Sequence, residues 1–208
     1  MKDIWLKFPH NKRVFDEVNK LKKKNSFVLK TSLNQALIDN YFKLHAEGKT
    51  ELVIEDLKIF YTKNNNDAYA LNLLGTFYSL IGEFDIAIKF QEKSLNLNFF
   101  DQSNYLNLAL TCIKKGYEEK ALQLLEIGRF INKKNQDINI QLAKLYSQLG
   151  KFTFSINIYE DLLENNTNDL NFNLEYIRTL INADESKKAL IILQELKKTL
   201  PPNHKLLN

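Results

Sequence analysis

The 208-residue chain has one cysteine, Cys112, and three histidines, His10, His45 and His204. A single cysteine excludes a disulfide framework, and so few soft ligands leave no ordinary zinc site. Proline is scarce at 3 and glycine at 6, too few for a turn-rich all-β fold or for long disordered linkers. Arginine is rare beside lysine: Arg13, Arg129 and Arg178 are the only ones among 29 basic residues. Lysine lacks the planar fork that reads phosphates and guanine edges, so the net charge of +4 argues only weakly for nucleic acid. No uncharged apolar run approaches the roughly 20 residues that cross a bilayer. The stretch Met1–His10 lacks the apolar core of a secretory signal, and the expected location is the cytoplasm. H-E-x-x-H, C-x-x-C, G-x-G-x-x-G and G-x-S-x-G are all missing. Gly48-Lys49-Thr50 echoes the end of a P-loop without its upstream glycine or strand. Cys112 has no histidine near it in sequence and reads as a buried structural thiol. The expectation is a chain with no catalytic residues, no cofactor and no metal.

What is present suffices for a folded domain. Hydrophobic residues make up 44% and charged residues 26%, enough apolar side chain to offset the entropy of ordering. The basic excess is local. Residues 1–33 hold nine Lys/Arg against three Asp/Glu, whereas the rest hold 20 against 22.

The strongest signal is a period. Gly48, Gly82, Gly116 and Gly150 are spaced 34 residues apart, and the next step lands on Asp184. In the same register Ala87, Ala121, Ser155 and Ala189 follow the turn by five residues. Gly75, Ala109 and Ala143 precede it by seven, each after a leucine. Within one unit, Leu71, Leu74, Tyr78 and Ile81 lie on one helical face. Gly82 breaks that helix, and Ala87, Ile88, Gln91 and Leu95 form the face of a second. Small residues recur where two antiparallel helices must approach closely.

This pattern resembles the tetratricopeptide repeat (TPR), W-x2-L-G-x2-Y…A-x3-F…P. The matching residues are Leu71, Leu74, Gly75, Tyr78, Gly82 and Ala87; Tyr105, Leu108, Ala109, Cys112, Gly116 and Ala121; and Leu142, Ala143, Tyr146, Gly150, Ser155 and Tyr159. The resemblance implies an all-α fold, a right-handed α-solenoid of about five helix-turn-helix repeats with an N-terminal helical extension. The expected division is a basic N-terminal extension or cap at 1–33, repeats at 34–67, 68–101, 102–135, 136–169 and 170–203, and a tail at 204–208. Copies one and five are weaker: Asn40-Tyr41 and Tyr176-Ile177 stand at the close contact.

The ends carry their own expectations. A helix over about 12–24 is expected, with Trp5, Leu6 and Phe8 or that helix covering the first repeat, and Ser32 is expected to cap copy one. His45 is expected at the surface. Ala189-Leu190-Ile191-Ile192-Leu193 is apolar nearly all round, which in a helix implies burial on more than one side.

In the TPR family the first helices line a concave groove that binds extended peptides. Carried over by register, copy two supplies Tyr69, Asn72, Leu73, Thr76 and Leu80, and copy three Ser103, Leu106, Asn107, Leu110 and Lys114. Copy four supplies Asp137, Ile140, Gln141, Lys144 and Gln148, and copy five Asn171, Leu174, Glu175, Arg178 and Asn182. A clamp for a chaperone's terminal carboxylates is disfavoured, because Asp137 and Gln141 stand where basic residues belong. The resemblance implies a non-catalytic scaffold for a protein or peptide segment of mixed apolar and polar character. Alternatives are a docking or regulatory domain of a larger enzyme such as a transferase, and an adaptor that forms a homodimer through its C-terminal repeat. Nucleic acid and membrane are the disfavoured partners.

Overall fold

The structure, a computed structural model, describes residues 33–64, 67–163 and 170–199. Ten helices follow one another and no strand occurs among these residues. They are α1 (Gln35–Ala46), α2 (Thr50–Lys63), α3 (Ala68–Leu80), α4 (Phe84–Leu97), α5 (Gln102–Lys115), α6 (Glu118–Ile131), α7 (Gln136–Gln148), α8 (Phe152–Leu163), α9 (Leu170–Asn182) and α10 (Ser186–Thr199). None of the described helices is long and apolar enough to cross a membrane. The chain divides between Asn132 and Lys133 into two compact units, the first holding α1–α6 and the second α7–α10.

The helices start and stop for reasons written at fixed intervals. Side-chain oxygens of Asn34, Asp67, Asp101 and Asn135 accept from backbone N–H groups in the first turns of α1, α3, α5 and α7. These caps satisfy donors that have no partner within the helix. The cap of α1 is thus Asn34, two residues beyond the expected Ser32, which lies outside the described residues. The expected 12–24 helix, Trp5, Leu6, Phe8 and the 204–208 tail also lie outside them.

Each first helix ends in one motif. Gly48, Gly82, Gly116 and Gly150 have φ of +71 to +85°, and Asp184 has φ of +61°. The N–H of the next residue reaches back five positions: Lys49 to Leu44, Glu83 to Tyr78, Tyr117 to Cys112, Lys151 to Tyr146 and Glu185 to Leu180, at 2.8–2.9 Å. This is the Schellman termination, in which a left-handed residue turns the chain and its neighbour satisfies an orphan carbonyl.

The small-residue position sets how closely each pair closes. The pair α3/α4, with Gly75, packs most closely. The pairs α5/α6 and α7/α8, with Ala109 and Ala143, come next, then α9/α10 with Ile177, and α1/α2 with Tyr41 is the loosest. Tyr41 is nevertheless tied down, for its hydroxyl donates to Asp56 Oδ2 across the pair at 2.6 Å.

The first unit buries Tyr41, Leu57, Leu71, Leu74, Phe77, Leu108 and Leu125. The second buries Ile138, Leu145, Tyr159, Phe172 and Leu180, with Tyr159 edge-on to Phe172 and stacked on Tyr176. Asn139 and Asn173 occupy the position of the motif's tryptophan. Asn139 Nδ2 donates to the Lys133 carbonyl at 2.8 Å, so this residue anchors the preceding loop instead of filling volume.

Three expectations are corrected. Ile81 is not on the buried face; it ends α3 and is exposed. His45 is not a free surface residue: its Nδ1 lies 2.8 Å from Thr50 Oγ1, and its ring packs edge-on to Phe77. In Ala189–Leu193 only Ala189 is fully buried, while Leu190 and Ile191 are 55% and 56% exposed.

Candidate partner-binding surface

The residues expected to line a partner surface lie on α3 and α5 in the first unit and on α7 and α9 in the second. In the first unit, Phe42 of α1 packs on Phe77 of α3, with ring centroids 5.2 Å apart, and α3 lies against α5. In the second, Thr179 Oγ1 of α9 is 3.0 Å from Ser147 Oγ of α7. Residues three and four apart on a helix share a face, so the candidates on each helix cluster.

In the first unit, Leu106, Asn107 and Leu110 of α5 are half-buried, Ser103 and Lys114 are exposed, and Leu80 of α3 is exposed. Tyr69 is half-buried, and burial followed by the Asp101 charge raises its phenol pKa. Thr76 turns inward, its hydroxyl donating to the Asn72 carbonyl at 2.9 Å.

Asn72 departs from expectation. It is only 3% exposed, and its Oδ1 is buried without a hydrogen-bond partner. Leu73 is buried as well. Neither offers a side chain to a ligand in this conformation. Phe42 was not among the expected residues, yet it is 43% exposed. It stands 34 residues before Thr76 and 68 before Leu110, so the same register extended to copy one identifies it.

In the second unit, Ile140, Gln141 and Lys144 of α7 are half-buried, as is Glu175 of α9, while Asn171 and Arg178 are exposed. Arg178 Nη1 is 3.6 Å from Glu175 Oε1, so part of its charge is already answered within the helix. Lys144 has no ion-pair partner among the described residues. The two units differ in chemistry at one register position: Phe42, Thr76 and Leu110 in the first, Lys144 and Arg178 in the second.

Cys112 is buried, and burial pushes its thiol pKa up, away from the thiolate. Among the described residues no group of three His, Cys, Asp or Glu converges as a metal site would.

Residues 68–101, which span α3 and α4, match the family model of the tetratricopeptide repeat. No curated protein matches the sequence significantly. Solved structures do share the fold. One is MamA, at 18% identity and a TM-score of 0.67, covering 75% of this chain and 91% of that one. Another is a tetratricopeptide repeat protein from Parabacteroides merdae, at 20% identity and 0.70, covering 83% and 68%. A third is YrrB, described as a TPR protein with an unusual peptide-binding site, at 16% and 0.64, covering 93% and 95%. Residues 68–101 thus match one tetratricopeptide repeat, and the described residues share the all-helical repeat fold of solved tetratricopeptide-repeat structures.

Proposed function

We propose that the chain is a non-catalytic, cytoplasmic protein–protein interaction scaffold, built as five repeats over 34–203, that binds a partner segment along its first helices. One observation carries this reading. Phe42 of α1 and Leu80 of α3 stand exposed on adjoining first helices, and Leu106 and Leu110 of the next first helix, α5, are half-buried. Exposed apolar groups gathered on one face mark interaction surfaces. YrrB, with the same fold, is described as binding a peptide, which supports the class of ligand.

The two units supply different chemistry. The first suits apolar side chains, with Asn107 positioned to pair with a ligand's backbone. The second, with Lys144 and Arg178, suits an acidic stretch. Each would hold its own segment with about micromolar affinity, roughly −8 kcal/mol. A different surface, the outward face of α10, favours a second copy of the chain as a further partner.

The test uses peptides selected on the whole chain from a displayed random library, with affinities measured by calorimetry. Asn107→Ala is expected to weaken an apolar peptide, and Lys144→Glu an acidic one, each about tenfold or more, or ~1.4 kcal/mol, with helicity unchanged. Unchanged affinity in both variants removes this surface as the site.

A further inference from the structure

Leu190 stands in the 34-residue register with Ile54, Ile88, Leu122 and Ile156. The first three are buried and Ile156 is half-buried, whereas Leu190 is 55% exposed. A following helix pair would account for that difference, because the face is the one on which repeats stack. It does not account for the next residue. Ile191 is in register with Glu55, Lys89, Gln123 and Asn157, polar in every other copy. Glu55, Lys89 and Asn157 stay exposed although another helix pair follows each of them. Only in the last copy does this outward position hold a large apolar side chain, and it is 56% exposed.

The charges around Ile191 are arranged symmetrically. Lys187, Ile191, Gln194, Glu195 and Lys198 follow a three–four spacing and share the outward face of α10. Lys188, three residues before Ile191, borders this face and is engaged with Glu160 at 3.6 Å. When a second α10 is laid antiparallel with the two Ile191 residues opposed, position 187 meets 195. By the two-fold symmetry this meeting occurs twice, each time between opposite charges, Lys187 and Glu195. Neither residue has an ion-pair partner among the described residues. A two-fold interface requires this kind of self-complementarity, in which residue i meets j and j meets i.

We propose that the outward face of α10 binds α10 of a second copy of this chain, antiparallel about Ile191, with Lys187 paired to the partner's Glu195. Two helices at the shallow crossing angle of antiparallel bundles keep these outer pairs within reach. The contact is small, so the dimer is weak and reversible.

Sedimentation equilibrium of the whole chain over about 10–1000 µM tests the proposal. The weight-average mass is expected to rise from that of one chain, 24.4 kDa, towards twice that value. Ile191→Glu is expected to remain monomeric throughout. Lys187→Glu and Glu195→Lys are each expected to weaken the dimer about tenfold or more, and the double variant Lys187→Glu/Glu195→Lys to restore it. All these positions are exposed, and circular dichroism verifies that each variant is folded. A wild-type chain that is monomeric at the highest concentration overturns the proposal. So does a dimer that both single reversals leave intact, and so does a double variant that stays as weak as the singles.

Discussion

A β-carbon added to Gly75 would lie 2.4 Å from Cγ of Gln91 and 2.9 Å from the carbonyl oxygen of Ala87. Both belong to α4, so Gly75 sits where the two helices of that pair touch backbone to side chain. Helix propensity alone would favour alanine there by about 1 kcal/mol. Overfilling a close contact costs about 1–3 kcal/mol, and here the second obstacle is backbone. Gly75→Ala is expected to destabilise the chain by about 1–2 kcal/mol in urea unfolding. In a Gln91→Ala background the same change should cost less, because one of the two obstacles is gone; equal costs in the two backgrounds would show that Gln91 is not the obstacle.

The glycines and small residues are also why so much of the fold was legible. A left-handed turn every 34 residues and a close contact seven residues before it are backbone requirements, and such requirements restrict residue identity strongly. They placed the Gly48, Gly82, Gly116 and Gly150 turns, the Asp184 turn and the buried Cys112. Surface positions are less constrained. Asn72 was expected to face a ligand because its register position does so in the family, but its side chain is buried. Nothing local to Asn72 tells its polar amide from an exposed one. Phe42 was overlooked because copy one lacks the Leu-Gly pair, although the register still passes through it. The apolar run at Ala189–Leu193 indicated burial, but whether an apolar helix face is covered depends on a neighbour that periodicity does not supply.

Asp184 is the one non-glycine residue with positive φ among those described. A side chain in the left-handed region costs about 1–2 kcal/mol, less for Asp and Asn. Asp184→Gly is therefore expected to raise stability by up to about 1 kcal/mol. The reverse holds at Gly116, where φ is +82° and a β-carbon would meet nothing within 4 Å. Gly116→Ala should cost about 1 kcal/mol through backbone strain alone. Melting temperatures of the two variants should move in opposite directions. A shift of the same sign in both would mean that φ is not what limits these turns.

The four side-chain caps predict a different kind of loss. Asp101 Oδ1 accepts from Ser103 N at 2.9 Å, and Asn135 Oδ1 accepts from Ile138 N at 3.0 Å. Replacing either with alanine removes the acceptor and should cost about 1 kcal/mol. Glycine at the same positions should cost only a few tenths, because its backbone adopts the cap conformation readily. Urea titrations of the alanine and glycine variants separate the two. Equal losses would assign the stabilisation to something other than the capped N–H.

The buried tyrosines set the alkaline limit of the fold. Burial raises the phenol pKa of Tyr41, Tyr105, Tyr159 and Tyr176 well above the ordinary 10.0, with a nearby carboxylate adding to the effect at all but Tyr105. Below pH 10 these residues are protonated whether the chain is folded or not, and they make no pH-dependent difference. Above it the unfolded chain releases protons that the folded chain retains. The unfolded state then binds fewer protons, and stability falls as pH rises. Two substitutions distinguish the contributors. The Tyr41 hydroxyl donates to Asp56, so Tyr41→Phe should cost about 1 kcal/mol at neutral pH. The Tyr105 hydroxyl is buried with no hydrogen-bond partner. Tyr105→Phe should therefore be neutral or stabilising at pH 7 and should flatten the loss above pH 10. Urea unfolding on both sides of that pH measures the slope directly, and an unchanged slope in Tyr105→Phe would mean that this phenol ionises without unfolding.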